Sequence, residues 1–212
     1  MTRPELWIVA GPNGAGKTTC VQREPILKIL PAIPFHNPDD RTLAKLRALG
    51  YRGFVDAPND AQTRLFFESA DEVIADLRTS IASHHPVGVE TVLSSEKYHE
   101  LVDQVNCDGG YFRLIYVALS SPAIACERVA ARVRRGGHGI PADRIASRWQ
   151  RSLDNLAWFV ARASAFWIVD NSNSDESMPL RLLATGEDGR LTYLDGDAFP
   201  EMKAALSPIL VR

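Results

Sequence analysis

Gly11-Pro12-Asn13-Gly14-Ala15-Gly16-Lys17-Thr18 has the form G-x-x-x-x-G-K-T, and the chemistry of that spacing is phosphate binding. Glycines let successive backbone N–H groups turn inward on phosphate oxygens. Lys17 has the length and charge to reach the β and γ phosphates, and the Thr18 hydroxyl can ligate Mg2+. Thr19 follows where it can touch an α phosphate. Nucleotide binding, with ATP and Mg2+ as cofactors, is therefore the primary expectation. A Gly-rich turn with a solvent-facing lysine is the bland alternative, and the flanking pattern speaks against it. Apolar residues 6–10 read as a buried strand, and residues 19–24 can continue as a helix, the frame the motif needs.

A hydroxyl kinase also needs a carboxylate beside the phosphate cradle to orient the acceptor and take its proton. Asp39, in Asn37-Pro38-Asp39-Asp40 just past a second apolar run, is one candidate for that catalytic base. The competing reading is that Asp39 or Asp40 caps the helix expected over residues 42–49. Pro38 favours an extended Asn37, whose amide can then face the cleft. Glu90 ends the apolar run 87–91 ahead of Thr91. An acid there needs a task or a partner, either acceptor or magnesium-side binding or a structural ion pair.

Between Arg128 and Arg151 lie seven arginines and a single acid, Asp143, in a chain of net charge -2. Arg128, Arg132 and Arg135 follow helical spacing, as do Arg144, Arg148 and Arg151, and Gly136-Gly137-His138-Gly139 joins the two rows. This reads as a helical arginine lid over residues 123–163, whose Arg132 and Arg148 reach the transferring phosphoryl group. A solvated basic face or an RNA-binding patch is the alternative.

The elements that must position these groups alternate. Short apolar runs at residues 6–10, 33–36, 87–91, 113–119 and 166–170 are separated by segments of helical period, which argues an α/β P-loop fold with a largely parallel sheet and flanking helices. Phe66, Ala70, Val73, Ile74, Leu77 and Ile81 form one apolar stripe. Cys126, Val129, Ala130 and Val133 form a second, and Ile145, Trp149, Leu153, Leu156 and Val160 a third. Residues 179–184 and 191–194, around Gly-Glu-Asp-Gly, predict a C-terminal β-hairpin, and 171–177 a loop. Residues 1–212 are expected to make a single domain, with 41–86 as an acceptor-side helical region.

A pI near 6.2 argues against bulk nucleic-acid binding. Cys20, Cys107 and Cys126 lack metal-ligand spacing and read as small buried hydrophobes. No stretch approaches the length of a membrane span, so a cytoplasmic location is expected.

Residues 11–19, Asn37-Pro38-Asp39, Glu90-Thr91-Val92-Leu93-Ser94, and Arg128-Val129-Ala130-Ala131-Arg132-Val133 continuing through Gly136-Gly137-His138 to Pro141, Ile145, Arg148 and Asn155-Leu156 together carry a family resemblance. The chain resembles the zeta-toxin-like small P-loop kinases, in the bacterial branch that bears the name of predicted ABC-type ATPases. That resemblance implies Lys17 as phosphate ligand, Asp39 as base, Glu90 as acceptor or magnesium-side acid, and Arg132 and Arg148 as lid arginines. It also implies kinase activity on a small hydroxyl acceptor, UDP-N-acetylglucosamine in the best-known members, and a small antitoxin as partner. This chain has the Gly-Gly-His turn in place of the toxin's longer lid, and residues 51–67 match no motif of the family. A true transporter-type ATPase is excluded. No Leu-Ser-Gly-Gly-Gln-like signature is present, and Asp170 is followed by Asn171 rather than glutamate. Two other classes stay open, a nucleotide switch or partner-regulated ATPase without an acceptor, and an RNA-end kinase.

Overall fold

The computed structural model describes residues 3–135, 139–173, 175 and 178–210. Along the chain run β1 (Glu5–Ala10), α1 (Lys17–Cys20), α2 (Ile26–Ile29), β2 (Phe35–His36), α3 (Pro38–Ala48), α4 (Asn59–Ala82), β3 (Val87–Thr91) and α5 (His99–Cys107). Then follow β4 (Tyr111–Ala118), α6 (Pro122–Arg134), α7 (Ala142–Val160), β5 (Ala165–Asp170), β6 (Arg181–Glu187), β7 (Arg190–Leu194) and α8 (Pro200–Leu210). The strands form one seven-stranded sheet in the order β2-β3-β1-β4-β5-β6-β7. Pairing is parallel from β2 to β5 and antiparallel for β6 and β7. This is the expected α/β P-loop architecture with a C-terminal hairpin.

Central strands of a parallel sheet are covered on both faces, which is why β1 and β4 read as unbroken apolar runs. Leu6, Ile8, Ala10, Leu114, Ile115 and Val117 are fully buried. The register aligns Ala10 with Thr91 and Ala118 with Asp170. Glu90, Thr91 and the loop after β1 therefore emerge at one carboxyl-terminal edge, where α/β proteins bind ligands. The hairpin closes through Asp188 (φ 48°) and Gly189 (φ 71°). That pair of left-handed residues suits a tight turn matching strand twist.

Several expectations shift. The helix after the phosphate loop ends at Cys20 rather than continuing to residue 24. Gln22 and Arg23 donate instead to Thr19 and Cys20 in tighter three-residue turns, ahead of Pro25, which disfavours helix in the residue before it. Only Phe35 and His36 of residues 33–36 pair as a strand, because Pro34 has no N–H to give a ladder. The helix expected over 42–49 starts four residues earlier. Asn37 is its cap, accepting from Asp39 N at 2.9 Å, with Pro38 in the first turn. Asp39 and Asp40 are thus not the cap.

In α4 the buried stripe runs through Leu65, Ser69, Ala70, Val73, Leu77 and Ile81, leaving Phe66 and Ile74 half-buried. In α6 it is Ala125 and Val129 that are buried, while Ala130 and Val133 are exposed. The third stripe lies as expected, with Ser152 and Phe159 added. Of the cysteines, Cys20 is buried and Cys126 half-buried, but Cys107 is exposed. Helix α5 falls in the segment of helical period expected between residues 91 and 113, and α8 carries no expectation from the sequence pattern. The Gly136-Gly137-His138 turn lies outside the described residues, as does part of the 171–177 loop.

Candidate active site

The phosphate loop has three glycines at positive φ, Gly11 (148°), Gly14 (78°) and Gly16 (76°). The first two are also places where the loop lies against its neighbours. A Cβ on Gly11 would stand 2.2 Å from the Val117 carbonyl oxygen, and one on Gly14 would stand 2.8 Å from that of Ala125. Only glycine tolerates both demands, so the loop's path is fixed by β4 and by the start of α6. Asn171 seals the third side, donating from Nδ2 to the Ala15 carbonyl at 2.8 Å while its Oδ1 accepts from Arg23 at 3.0 Å. The Asn13 side chain is buried, and its Oδ1 has no hydrogen-bond partner. Because α1 is a single turn, the cradle rests on the loop itself and on Lys17, with little helix behind it. Thr19 is exposed beside it.

Lys17 is buried and curls back over the loop. Its Nζ donates to the Gly11 carbonyl at 2.9 Å and to that of Pro12 at 3.3 Å. Burial pushes its pKa down from the usual lysine value, and the nearby Arg132 guanidinium pushes the same way. The Glu90 and Asp39 carboxylates oppose them. The two carboxylates thus favour the charged form of a buried ammonium that lies against the loop. Thr18 Oγ1 donates to Glu90 Oε2 at 2.9 Å. This brings a hydroxyl and a carboxylate, both hard oxygen donors, to one point at the loop's mouth.

Asp39 sits half-buried in the first turn of α3. Its charge is felt by Lys17, by the half-buried Arg148 of α7 and by the buried Tyr98. The tertiary structure thus gathers Lys17, Asp39, Glu90, Arg132 and Arg148 from five segments around one spot. Beside it lies a pocket of about 200 Å3, into which Thr18, Phe35, His36, Asn37, Asp40 and Glu90 project. Burial and the adjacent Asp39 charge raise the Asp40 pKa above the ordinary carboxylate value. Asn37 spends its amide oxygen on the helix cap and still lines the pocket. Thr91 is half-buried at the end of β3. α3 is fastened to α4 by Arg41 to Asp76 at 2.6 Å and Lys45 to Glu72 at 2.7 Å.

The two arginine rows divide their work. On α6, Arg128 donates to the Ser172 and Asn173 carbonyls at 3.4 and 2.8 Å, tying down the loop after β5, while the exposed Arg132 lies near enough to Lys17 to lower its pKa. On α7, Arg148 faces Asp39 with Arg144 and Arg151 as like-charged neighbours, and Arg151 donates to the Ser94 carbonyl at 3.3 Å. Helix α7 is firmly seated, since Trp149 Nε1 donates to the Leu119 carbonyl at 2.9 Å and five of its apolar side chains beyond Ile145 are buried. In this structure it is a wall of the site.

The segment that follows Thr91 has no role assigned to it from the sequence. Leu93 has φ 64° yet is only 1% exposed. A non-glycine residue held there costs about 1–3 kcal/mol, comparable to what burying its side chain returns, so the turn needs other support. Tyr98, also absent from the sequence-based site, pairs its hydroxyl with Thr91, and burial pushes its pKa up to about 12. Leu93 lies in a segment that carries the family resemblance, but its backbone conformation and the fold-back that brings Tyr98 to Thr91 cannot be read from residue types.

No family model matches the chain, and no curated protein matches it. Solved structures do. A native AvrRxo1-ORF1:-ORF2 complex matches with TM-score 0.68 and 16% identity, over 98% of this chain and 65% of that one. The same complex with ATP matches with TM-score 0.65 and 15% identity, over 98% and 64%. A structure from the PezAT chromosomal toxin-antitoxin system of Streptococcus pneumoniae matches with TM-score 0.53 and 14% identity, over 99% and 79%. The chain thus spans about two thirds of the AvrRxo1 chain. At these identities the likeness is one of fold.

Proposed function

We propose that the protein is an ATP- and Mg2+-dependent phosphotransferase that phosphorylates a hydroxyl of a small metabolite, with a nucleotide sugar such as UDP-N-acetylglucosamine as the first acceptor to test. The observation that carries this reading is the convergence of Lys17, Arg132 and Arg148 with the Asp39 and Glu90 carboxylates at the mouth of the glycine loop. A bare nucleotide switch has no need of a second carboxylate beside the phosphate loop. Fold-level likeness to a structure holding ATP agrees with the nucleotide.

In this mechanism Asp39 accepts the proton of the acceptor hydroxyl. The acceptor oxygen forms the new bond to the γ phosphorus as the bridging bond to the β phosphate breaks, and ADP leaves. Lys17, Arg132 and Arg148 balance the charge spread over the γ oxygens, a largely electrostatic contribution in a partly water-excluded site. Asn37, Glu90 and Thr91 orient the acceptor. The Thr18 hydroxyl and Glu90 carboxylate fit Mg2+, which supplies charge neutralisation on the β and γ oxygens when bound. Few protein ligands suffice for an ion that keeps waters and phosphate oxygens. Among the described residues no three His, Cys, Asp or Glu side chains group as a metal site.

An antitoxin is the partner in keeping with the toxin-antitoxin system of the pneumococcal neighbour. A cytoplasmic setting agrees with the absence, among the described residues, of any helix long and apolar enough to cross a membrane. The test is mass spectrometry of UDP-N-acetylglucosamine, then of a metabolite extract, after incubation with ATP and Mg2+. A product about 80 Da heavier, absent with Lys17→Ala, is expected for added phosphoryl. ATP consumed with no phosphorylated product from either would move the reading to an ATPase or switch.

A further inference from the structure

We propose that Asn155 and Ser152 are positioning residues for the acceptor side of the site, acting by holding the left-handed turn at Leu93 and through it Glu90 and Thr91. The inference rests on the phosphotransferase reading for its catalytic meaning, and on geometry for its physical content.

Three successive carbonyls leave β3 toward α7, and each accepts from a different α7 side chain. Ser152 Oγ donates to the Val92 carbonyl at 2.7 Å, Asn155 Nδ2 to that of Leu93 at 3.0 Å, and Arg151 Nε to that of Ser94 at 3.3 Å. Ser152 is fully buried, and its hydroxyl also pairs with Tyr116 at 2.9 Å. Inside the turn, Leu93 N donates to Thr91 Oγ1 at 3.4 Å, and Tyr98 closes on the same threonine. Packing alone would need only apolar contact between helix and loop. Side-chain donors to three consecutive carbonyls, around a buried leucine at φ 64°, specify the backbone path itself.

Residues 148, 151, 152 and 155 recur at helical spacing on one face of α7. The face that presents Arg148 to Asp39 therefore continues directly into the strap. One rigid helix sets the distance between the arginine that meets the phosphoryl group and the Glu90-Thr91 end of β3 that meets the acceptor. Asn155, part of the sequence resemblance but without a role there, acquires one.

The test uses the full chain with Asn155→Asp, which keeps size but loses the donor, Ser152→Ala, and Asn155→Gln, which keeps an amide donor. Peptide-resolved hydrogen exchange without ligand is compared with Mg·ATP affinity and with transfer kinetics toward whichever acceptor the wild type phosphorylates. Exchange over residues 92–98 is expected to quicken about tenfold in Asn155→Asp, the scale of one buried hydrogen bond, with residues 11–20 unchanged. Mg·ATP affinity, reached only through Glu90, should change less than acceptor KM, which should rise about tenfold with little change in kcat, and Asn155→Gln should recover part of the loss. Uniform quickening across the chain, or no change over residues 92–98 in any variant, overturns the proposal. If the wild type transfers no phosphoryl group, the phosphotransferase reading fails, and the exchange map alone still decides whether the strap exists. Should Asn155→Asp not fold, Ser152→Ala and Asn155→Gln carry the same comparison.

Discussion

In the proposed site, eight consecutive residues, 11–18, supply the phosphate half, whereas the acceptor half draws on Asp39 from α3, Glu90 and Thr91 from β3 and Tyr98 from the following loop. The first half is shaped by glycines that no other residue could replace against Val117 and Ala125. The second is shaped by hydrogen bonds between segments some 60 residues apart, such as Ser152 to Val92. A contiguous cradle stays correct as long as its strand and neighbours are in place. An assembled one depends on every connection, so its geometry can be tuned or lost without touching the nucleotide.

That contrast orders the experiments. Asp39→Asn, on the assembled side, should slow phosphoryl transfer by about 10²–10⁴-fold, the range of a lost general base, while nucleotide affinity measured by calorimetry stays near wild type. Transfer that survives unimpaired would remove Asp39 from the mechanism. Lys17→Ala strikes the contiguous side and should lower transfer by about 10²–10³-fold. Unlike Asp39→Asn, it should weaken ATP binding as well, and equal binding in both variants would break the division. Tyr98→Phe should destabilise by about 1 kcal/mol, a few degrees in Tm, through the lost Thr91 bond. Its catalytic effect should appear in acceptor KM only. Arg41→Ala, in the partly exposed link from α3 to α4, should change stability by less than about 1 kcal/mol. A larger loss of transfer than of stability would show that this link also sets Asp39.

A pH profile sharpens the same division. Lys17 titrates below its usual 10.5 in the folded chain, so between that depressed value and 10.5 the unfolded chain holds more protons. Stability attributable to Lys17 therefore rises with pH in that window. The stability difference between wild type and Lys17→Met, from denaturant unfolding at successive pH values, should shift in favour of the wild type as pH climbs toward 10. Taking the difference removes the opposing slope of Tyr98, and only part of that of Cys20, raised to about 11, because its thiol interacts with Lys17. A flat difference would mean that the ammonium is as well solvated in the fold as in the unfolded chain.

Much of this was legible beforehand where physics is local. The apolar runs of β1, β4 and β5 announce a sheet covered on both faces, and the α7 stripe is read correctly from Ile145 to Val160 because its period is strong. Where the period is weak, the reading slips by one position, as in α6, where Ala125 is buried and Ala130 is not. The capping of α3 was misjudged because Asn37, Asp39 and Asp40 are all good caps. Pro38 in the first turn is what selects Asn37.

The glycine loop, the parallel sheet that presents it and the arginine excess all follow from residue types at fixed short spacings. That Asn37 rather than Asp39 caps α3, and that Ser152 and Asn155 bond the carbonyls of Val92 and the left-handed Leu93, emerges from the folded chain. Those outcomes depend on contacts between segments distant in the chain, and such contacts leave no period and no motif to read.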